Sequence, residues 1–182
     1  SPACPRSPDN TSFRSRNGCG CRSRSFRSGR AESRRSSGTG GWAAVILSPD
    51  GSVKELGGAA PGTTNNRMEL EAVIAALRFA RASSLAVRIY TDSTYVISGV
   101  NSWLAGWKRK GWRTYNGKPV LNRDMWEELD AILAARGERR VSWHYVRGHS
   151  GSPGNERCDE IAVSFSKGRP QALYSGPLSG YP

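Results

Sequence analysis

Glu69, Asp92 and Asp159 are acidic residues for which a purely structural role is uncomfortable, and His149 is the histidine placed to assist them. Three carboxylates brought together without basic partners repel one another, and a hard divalent cation with oxygen ligands is the usual remedy. Each acid also has an ordinary alternative: a helix-edge salt bridge for Glu69, a helix N-cap for Asp92, and solvation on a helix flank for Asp159. His149 lies in the loop Arg147-Gly148-His149-Ser150-Gly151. A lone loop histidine is ordinarily without chemistry. Beside a carboxylate cluster, however, an imidazole titrating near neutral pH on a mobile loop can reach a leaving oxygen. His144 falls inside a strand and is assigned no chemistry.

The elements that must position these residues follow from periodicity. Trp42–Leu47 is an apolar run closed by the turn Ser48-Pro49-Asp50-Gly51, and residues 53–60 resume as an extended segment, which predicts a hairpin. Residues 65–81 carry Leu70, Val73, Ile74 and Leu77 on one helical face, with Glu69 at its edge. Residues 86–91 read as a strand ending at Asp92, the end at which α/β sheets bind ligands. Ser93 can cap a short helix. A second amphipathic helix is predicted over 122–136, a strand over 141–146, and a last helix from about Pro153. In that last helix Cys158, Ile161, Ala162 and Phe165 face inward, while Asp159 and Asn155 share one flank. Paired strands followed by alternating strands and helices indicate a mixed α/β sheet with helices packed on it.

A further cluster concerns binding. Trp103, Trp107 and Trp112 are interleaved with Lys108, Arg109, Lys110 and Arg113, before a turn at Asn116-Gly117. Indole stems can anchor a projecting element whose cationic ends meet a phosphate backbone. The ordinary alternative is an amphipathic helix with a solvated basic edge.

Composition sets the limits. The chain has 182 residues and a net charge of +12, enough for one domain with appendages. No apolar run approaches membrane-span length, and no signal-peptide core is present. The 4 cysteines are too few for a disulfide scaffold, and Cys19-Gly20-Cys21 has no second pair at zinc spacing. The expectation is a soluble cytoplasmic monomer. Residues 1–40 hold nine arginines against Asp9 and Glu32, and no Val, Ile, Leu, Met, Trp or Tyr. They are read as a disordered basic tail, with a loose polyanion-binding arm as the sharper role. Residues 168–182, with three Pro and three Gly, are read as a second tail, leaving 41–167 as the folded domain.

Several ordered motifs resemble bacterial type 1 ribonuclease H. They are Gly40-Gly41-Trp42-Ala43-Ala44, Asn65-Asn66-Arg67-Met68-Glu69-Leu70, Tyr90-Thr91-Asp92-Ser93 with Tyr95-Val96, and Leu121-Asn122-Arg123-Asp124-Met125-Trp126. Arg147-Gly148-His149, followed by the run Gly154 to Glu160, completes the set. The resemblance implies a five-stranded mixed sheet flanked by helices, and endonucleolytic cleavage of the RNA strand of an RNA/DNA hybrid to 5′-phosphate and 3′-hydroxyl ends. It implies two magnesium ions, with manganese as a substitute, held by Glu69, Asp92 and Asp159. His149 would be the mobile base or product-release residue. Asn65, Asn66 and Asn155 would lie near the hybrid's backbone and sugar edges. The stretch from about 103 to 118 would be the family's basic protrusion, binding through Trp103, Trp107, Lys108, Arg109, Lys110, Trp112 and Arg113.

The sequence departs from that pattern at its start. The family opens with a central hydrophobic strand ending in Asp-Gly, and that Asp bridges both metals. Counting back from Trp42 gives Arg30 instead, and residues 21–29 lack the apolar side chains of a buried strand. The expectation is therefore a chain without its fourth carboxylate and without its middle strand, either because this segment is read in a shifted frame or because the protein has diverged. Two functions follow: a hybrid-specific nuclease, if the absent Asp is an artefact of reading frame or is replaced by Glu32, or a catalytically impaired hybrid-binding module that keeps the basic element and the basic tail.

Overall fold

The computed structural model describes residues 19–23 as a backbone path, and residues 38–137, 141–148 and 153–182 in full. Strands β1 (Cys19–Ser23), β2 (Gly40–Leu47), β3 (Ser52–Ala60), β4 (Val87–Thr91), β5 (Val141–Tyr145) and β6 (Ser175–Pro177) form one mixed sheet in the order β5-β4-β1-β2-β3-β6. Around it lie helices α1 (Asn65–Phe79), α2 (Thr94–Ser98), α3 (Leu104–Arg109), α4 (Arg123–Arg136) and α5 (Pro153–Ser166).

The middle strand is present, which corrects the expectation that this segment could supply none. β1 runs parallel to β4, with Cys21 opposite Thr91, and antiparallel to β2, with Ser23 opposite Trp42. Backbone ladders on both sides satisfy its N–H and C=O groups. A count of apolar side chains does not see that source of stability, so Cys-Gly-Cys-Arg-Ser looked unfit for the position.

β2 reads as a continuous apolar run because both faces are covered. Ala44 and Ile46 join a cluster with Leu70, Val73, Ile74 and Leu77 of α1 and with Trp126 and Leu129 of α4. Their neighbours Ala43 and Val45 join a second cluster with Cys158, Ile161 and Ala162 of α5. Since alternate residues of a strand point to opposite faces, α1 and α5 lie on opposite sides of the sheet. α5 approaches β2 so closely that a Cβ on Gly41 would come 1.9 Å from the Ala162 carbonyl oxygen.

The C-terminal stretch differs from the expected tail. β6 pairs with the first residues of β3, Ser52 opposite Pro177, and Tyr174 and Tyr181 pack against the α5 cluster with their rings 5.2 Å apart. The polar centre of this docking is Glu55 of β3, which is fully buried. Its carboxylate accepts from Arg157 Nε at 2.6 Å, the Tyr174 backbone N–H at 2.8 Å and the Tyr181 hydroxyl at 3.0 Å. Composition missed this because the stretch is held by backbone pairing and two tyrosines rather than by an aliphatic stripe.

Burial pushes the Glu55 carboxyl up, but hydrogen bonds from Arg157, Tyr174 and Tyr181 and the Arg157 charge outweigh it and hold the group below its ordinary value. A depressed carboxylate contributes stability above the unfolded-state pKa and loses it as pH falls through the folded-state value. The melting temperature of the wild-type chain should therefore drop as pH falls below the ordinary glutamate range. The gap separating it from Glu55→Gln should close over the same interval. Gly41→Ala should cost about 1–3 kcal/mol in urea unfolding, because the helix must move off the sheet.

Candidate active site

β4 ends at Thr91, and the next two residues turn the chain into α2. Ser93 performs the capping: its hydroxyl accepts the Val96 N–H at 3.1 Å, and its own N–H donates to Thr91 Oγ1 at 3.1 Å. The cap is thus Ser93, and the capping alternative for Asp92 falls away. The Ser93 hydroxyl proton goes to the Glu69 carboxylate. One buried serine, the residue after Asp92, thereby ties Glu69 of α1 to the start of α2. Both acids are half-buried.

Asp159 is half-buried on α5, flanked by exposed Glu156 and Glu160 and by buried Cys158. It therefore belongs to the helix on the opposite face of the sheet from Glu69, with β1 between. Arg22 and Asp92 follow the paired Cys21 and Thr91 of the parallel strands, and the five residues of β1 include no carboxylate. Among the described residues, no three His, Cys, Asp or Glu side chains are grouped so as to hold a metal ion. Carboxylate oxygens are the right donors for magnesium. Among the described residues the expected single ligand group nevertheless does not close, and β1, which runs between α1 with Glu69 and α5 with Asp159, contributes no acid to it. His149 lies outside the described residues.

The expected substrate residues separate into several environments. Asn65 and Asn66 are exposed in the first turn of α1, whose cap is Thr64. Asn155 is buried, and its side-chain nitrogen has no hydrogen-bond partner. A buried amide donor left unpaired costs about 1–3 kcal/mol, which an acceptor on a bound molecule would recover.

In the Trp-rich segment the indoles are mostly structural. After α2 the chain makes a π-helical turn over Gly99–Trp103 and passes over the Trp126 ring, where a Cβ on Gly99 would come within 2.0 Å. Trp107 lies 5.5 Å from both Trp103 and Trp126, and Trp107 and Trp112 pack on the main core. Trp103 is exposed. The cations point outward. Lys108 pairs with Asp130 at 2.8 Å, Lys110 lies over the exposed Tyr115 ring, and Arg113 donates to the Gly117 carbonyl. From Gly99 to Lys118 there are five basic residues and no acid. Sequence reading missed the Tyr95 hydroxyl, which accepts from Trp126 Nε1 at 2.9 Å and Asn122 Nδ2 at 3.1 Å and joins α2 to α4. Only the tyrosine's place two residues after Ser93 hinted at it.

A mixed sheet with helices on both faces, acids at a strand end and an acid-free basic element beside them define a nucleic-acid-processing α/β domain. Comparison with known proteins fixes the family. The RNase H pattern matches residues 31–167. Ribonuclease H of a Cyanothece species is 56% identical over 137 residues, covering 75% of this chain and 85% of that protein. Ribonuclease H of Thermosynechococcus vestitus is 54% identical over 142 residues, covering 77% and 87%. The chain belongs to the RNase H family. Among solved structures, a type 1 RNase H with the type 2 active-site motif superposes with a TM-score of 0.66 at 27% identity, over 90% of this chain and 79% of that one. A foamy viral protease-reverse transcriptase, solved with an RNA/DNA hybrid, shares the fold at a TM-score of 0.66 and 19% identity, over 91% of this chain and 22% of that one. The family match begins at residue 31, so β1 lies outside it.

Ser93→Ala removes both the α2 cap and the proton given to Glu69. It should destabilise the chain by about 1–2 kcal/mol in urea unfolding, while Ser93→Thr, which keeps the hydroxyl, should restore most of the loss.

Proposed function

We propose that this chain is an endoribonuclease that hydrolyses the RNA strand of RNA/DNA hybrids, leaving 5′-phosphate and 3′-hydroxyl ends. The observation that carries the reading is the Glu69–Ser93–Asp92 constellation at the end of β4. It anchors Glu69 of α1 to the residue that follows Asp92, at the strand end where open α/β sheets bind ligands. Glu69, Asp92 and Asp159 are the proposed ligands of two magnesium ions, for which manganese would substitute. Such ions, when bound, supply charge stabilisation and an activated water at a scissile phosphate. The chain's own residues grip and orient the duplex. Lys108, Arg109, Lys110 and Arg113 meet phosphates, with Trp103, Trp107 and Trp112 as their support. Asn65, Asn66 and Asn155 read backbone and sugar edges, where amide groups suit recognition of a 2′-hydroxyl. His149 would serve as the base or in product release.

A second reading has its own support. With no carboxylate in β1 and no closed ligand group among the described residues, the chain would bind hybrids through the basic element while cleaving them poorly. A labelled hybrid in magnesium separates the two. Cutting of the RNA strand that Asp92→Asn abolishes supports the nuclease. Retained binding without cutting supports the impaired module and overturns the first reading.

Hybrid affinity should fall with salt in either case. Replacing Arg109 and Lys110 by Ala should flatten the slope of log K against log salt by about one unit for each phosphate no longer neutralised, as fluorescence anisotropy at several salt concentrations would measure.

A further inference from the structure

We infer that the C-terminal segment from Gln171 to Tyr181 is a positioning brace for α5, the helix that carries Asp159 and Asn155. The inference rests on the placement of those two residues in the proposed nuclease site. On α5, Arg157 and Asp159 lie about 100° to either side of Cys158, the fully buried residue that faces the sheet. Cys158 fixes how deeply the helix sits. With Ile161 and Ala162 it seats the apolar stripe on the sheet, and what remains is the fine rotation of the helix about its own axis, which aims Asp159.

Arg157 settles it from the far flank. Its guanidinium donates to both Glu55 oxygens, through Nε at 2.6 Å and Nη2 at 3.2 Å, and through Nη1 to Gln171 Oε1 at 3.4 Å. Glu55 is held in turn by the Tyr174 N–H and the Tyr181 hydroxyl, and the Tyr174 carbonyl accepts the Glu55 N–H at 2.9 Å. The same segment is pinned to the sheet by β6 and by the Leu178 N–H on the Gly51 carbonyl at 2.8 Å, and Tyr174 and Tyr181 pack on the cluster containing Cys158 and Ile161. A roll of about 10° would carry a carboxylate some 6 Å from the helix axis by about 1 Å, a displacement that costs catalytic sites dearly.

The test uses the full chain and Tyr181→Phe, which deletes one hydrogen bond and keeps the ring. Amide hydrogen exchange over Arg157–Val163 should quicken about tenfold, while exchange over Leu129–Ala134 of α4 stays unchanged. No change in α5, or equal quickening of both helices, overturns the brace. That measurement reads the helix whether or not the chain cleaves. In magnesium-dependent cleavage, Tyr181→Phe should lower kcat about three- to tenfold at constant KM. Asp159→Asn is the reference: if it leaves cleavage intact, the placement of Asp159 in the site fails. If it abolishes cleavage while Tyr181→Phe keeps the wild-type kcat, the brace fails and the site stands.

Discussion

The parallel pairing of β1 with β4 is the constraint on which the rest of the molecule depends. It turns two separate groups, the β2–β3 hairpin and the β4–β5 pair, into one sheet with a covered middle. Without β1, β2 and β4 would each present an unpaired edge beneath α1 and α5, where buried backbone groups are expensive. The same strand separates the acids that would share the ions in the proposed nuclease. Glu69 on α1 and Asp159 on α5 lie on opposite faces of the sheet, and Asp92 follows the strand paired beside it. Its identity at that level therefore matters more than that of any single surface residue, and the five residues of β1 include no acid.

Burial of Glu55 shows how a polar group can organise structure. Removing a carboxylate from water is unfavourable, and here the loss is offset by a charged fork from α5 and two neutral donors from the C-terminal stretch. Neither segment could bury the charge alone. The arrangement is cooperative and specifies how α5, β3 and the C-terminal stretch assemble.

Much of this was legible in the sequence, for reasons that can be named. The helix of Leu70, Val73, Ile74 and Leu77 and the run from Trp42 to Leu47 were readable because one buries a stripe and the other buries both faces. Glu69, Asp92 and Asp159 could be singled out because their neighbours fixed their helical or strand position. What escaped depends on long-range pairing. β1 is held by main-chain bonds to strands roughly twenty and seventy residues away in the chain, and β6 by pairing to a strand over a hundred residues earlier. Side-chain periodicity carries no trace of such partners. Ser93 was readable as a cap, but not as the donor to Glu69, because that bond spans 24 positions.

The Tyr95 hydroxyl joins what would otherwise be separate parts. Ser93 caps α2, Tyr95 lies in its first turn, and the same tyrosine is clasped by Trp126 and Asn122 while Trp107 packs edge-on against Trp126. The acid pair and the cationic element are consequently mounted on a common stiff frame. In the proposed nuclease, a double helix gripped at one would meet the other at a set phase of its turn, with the frame serving as a caliper along the duplex axis.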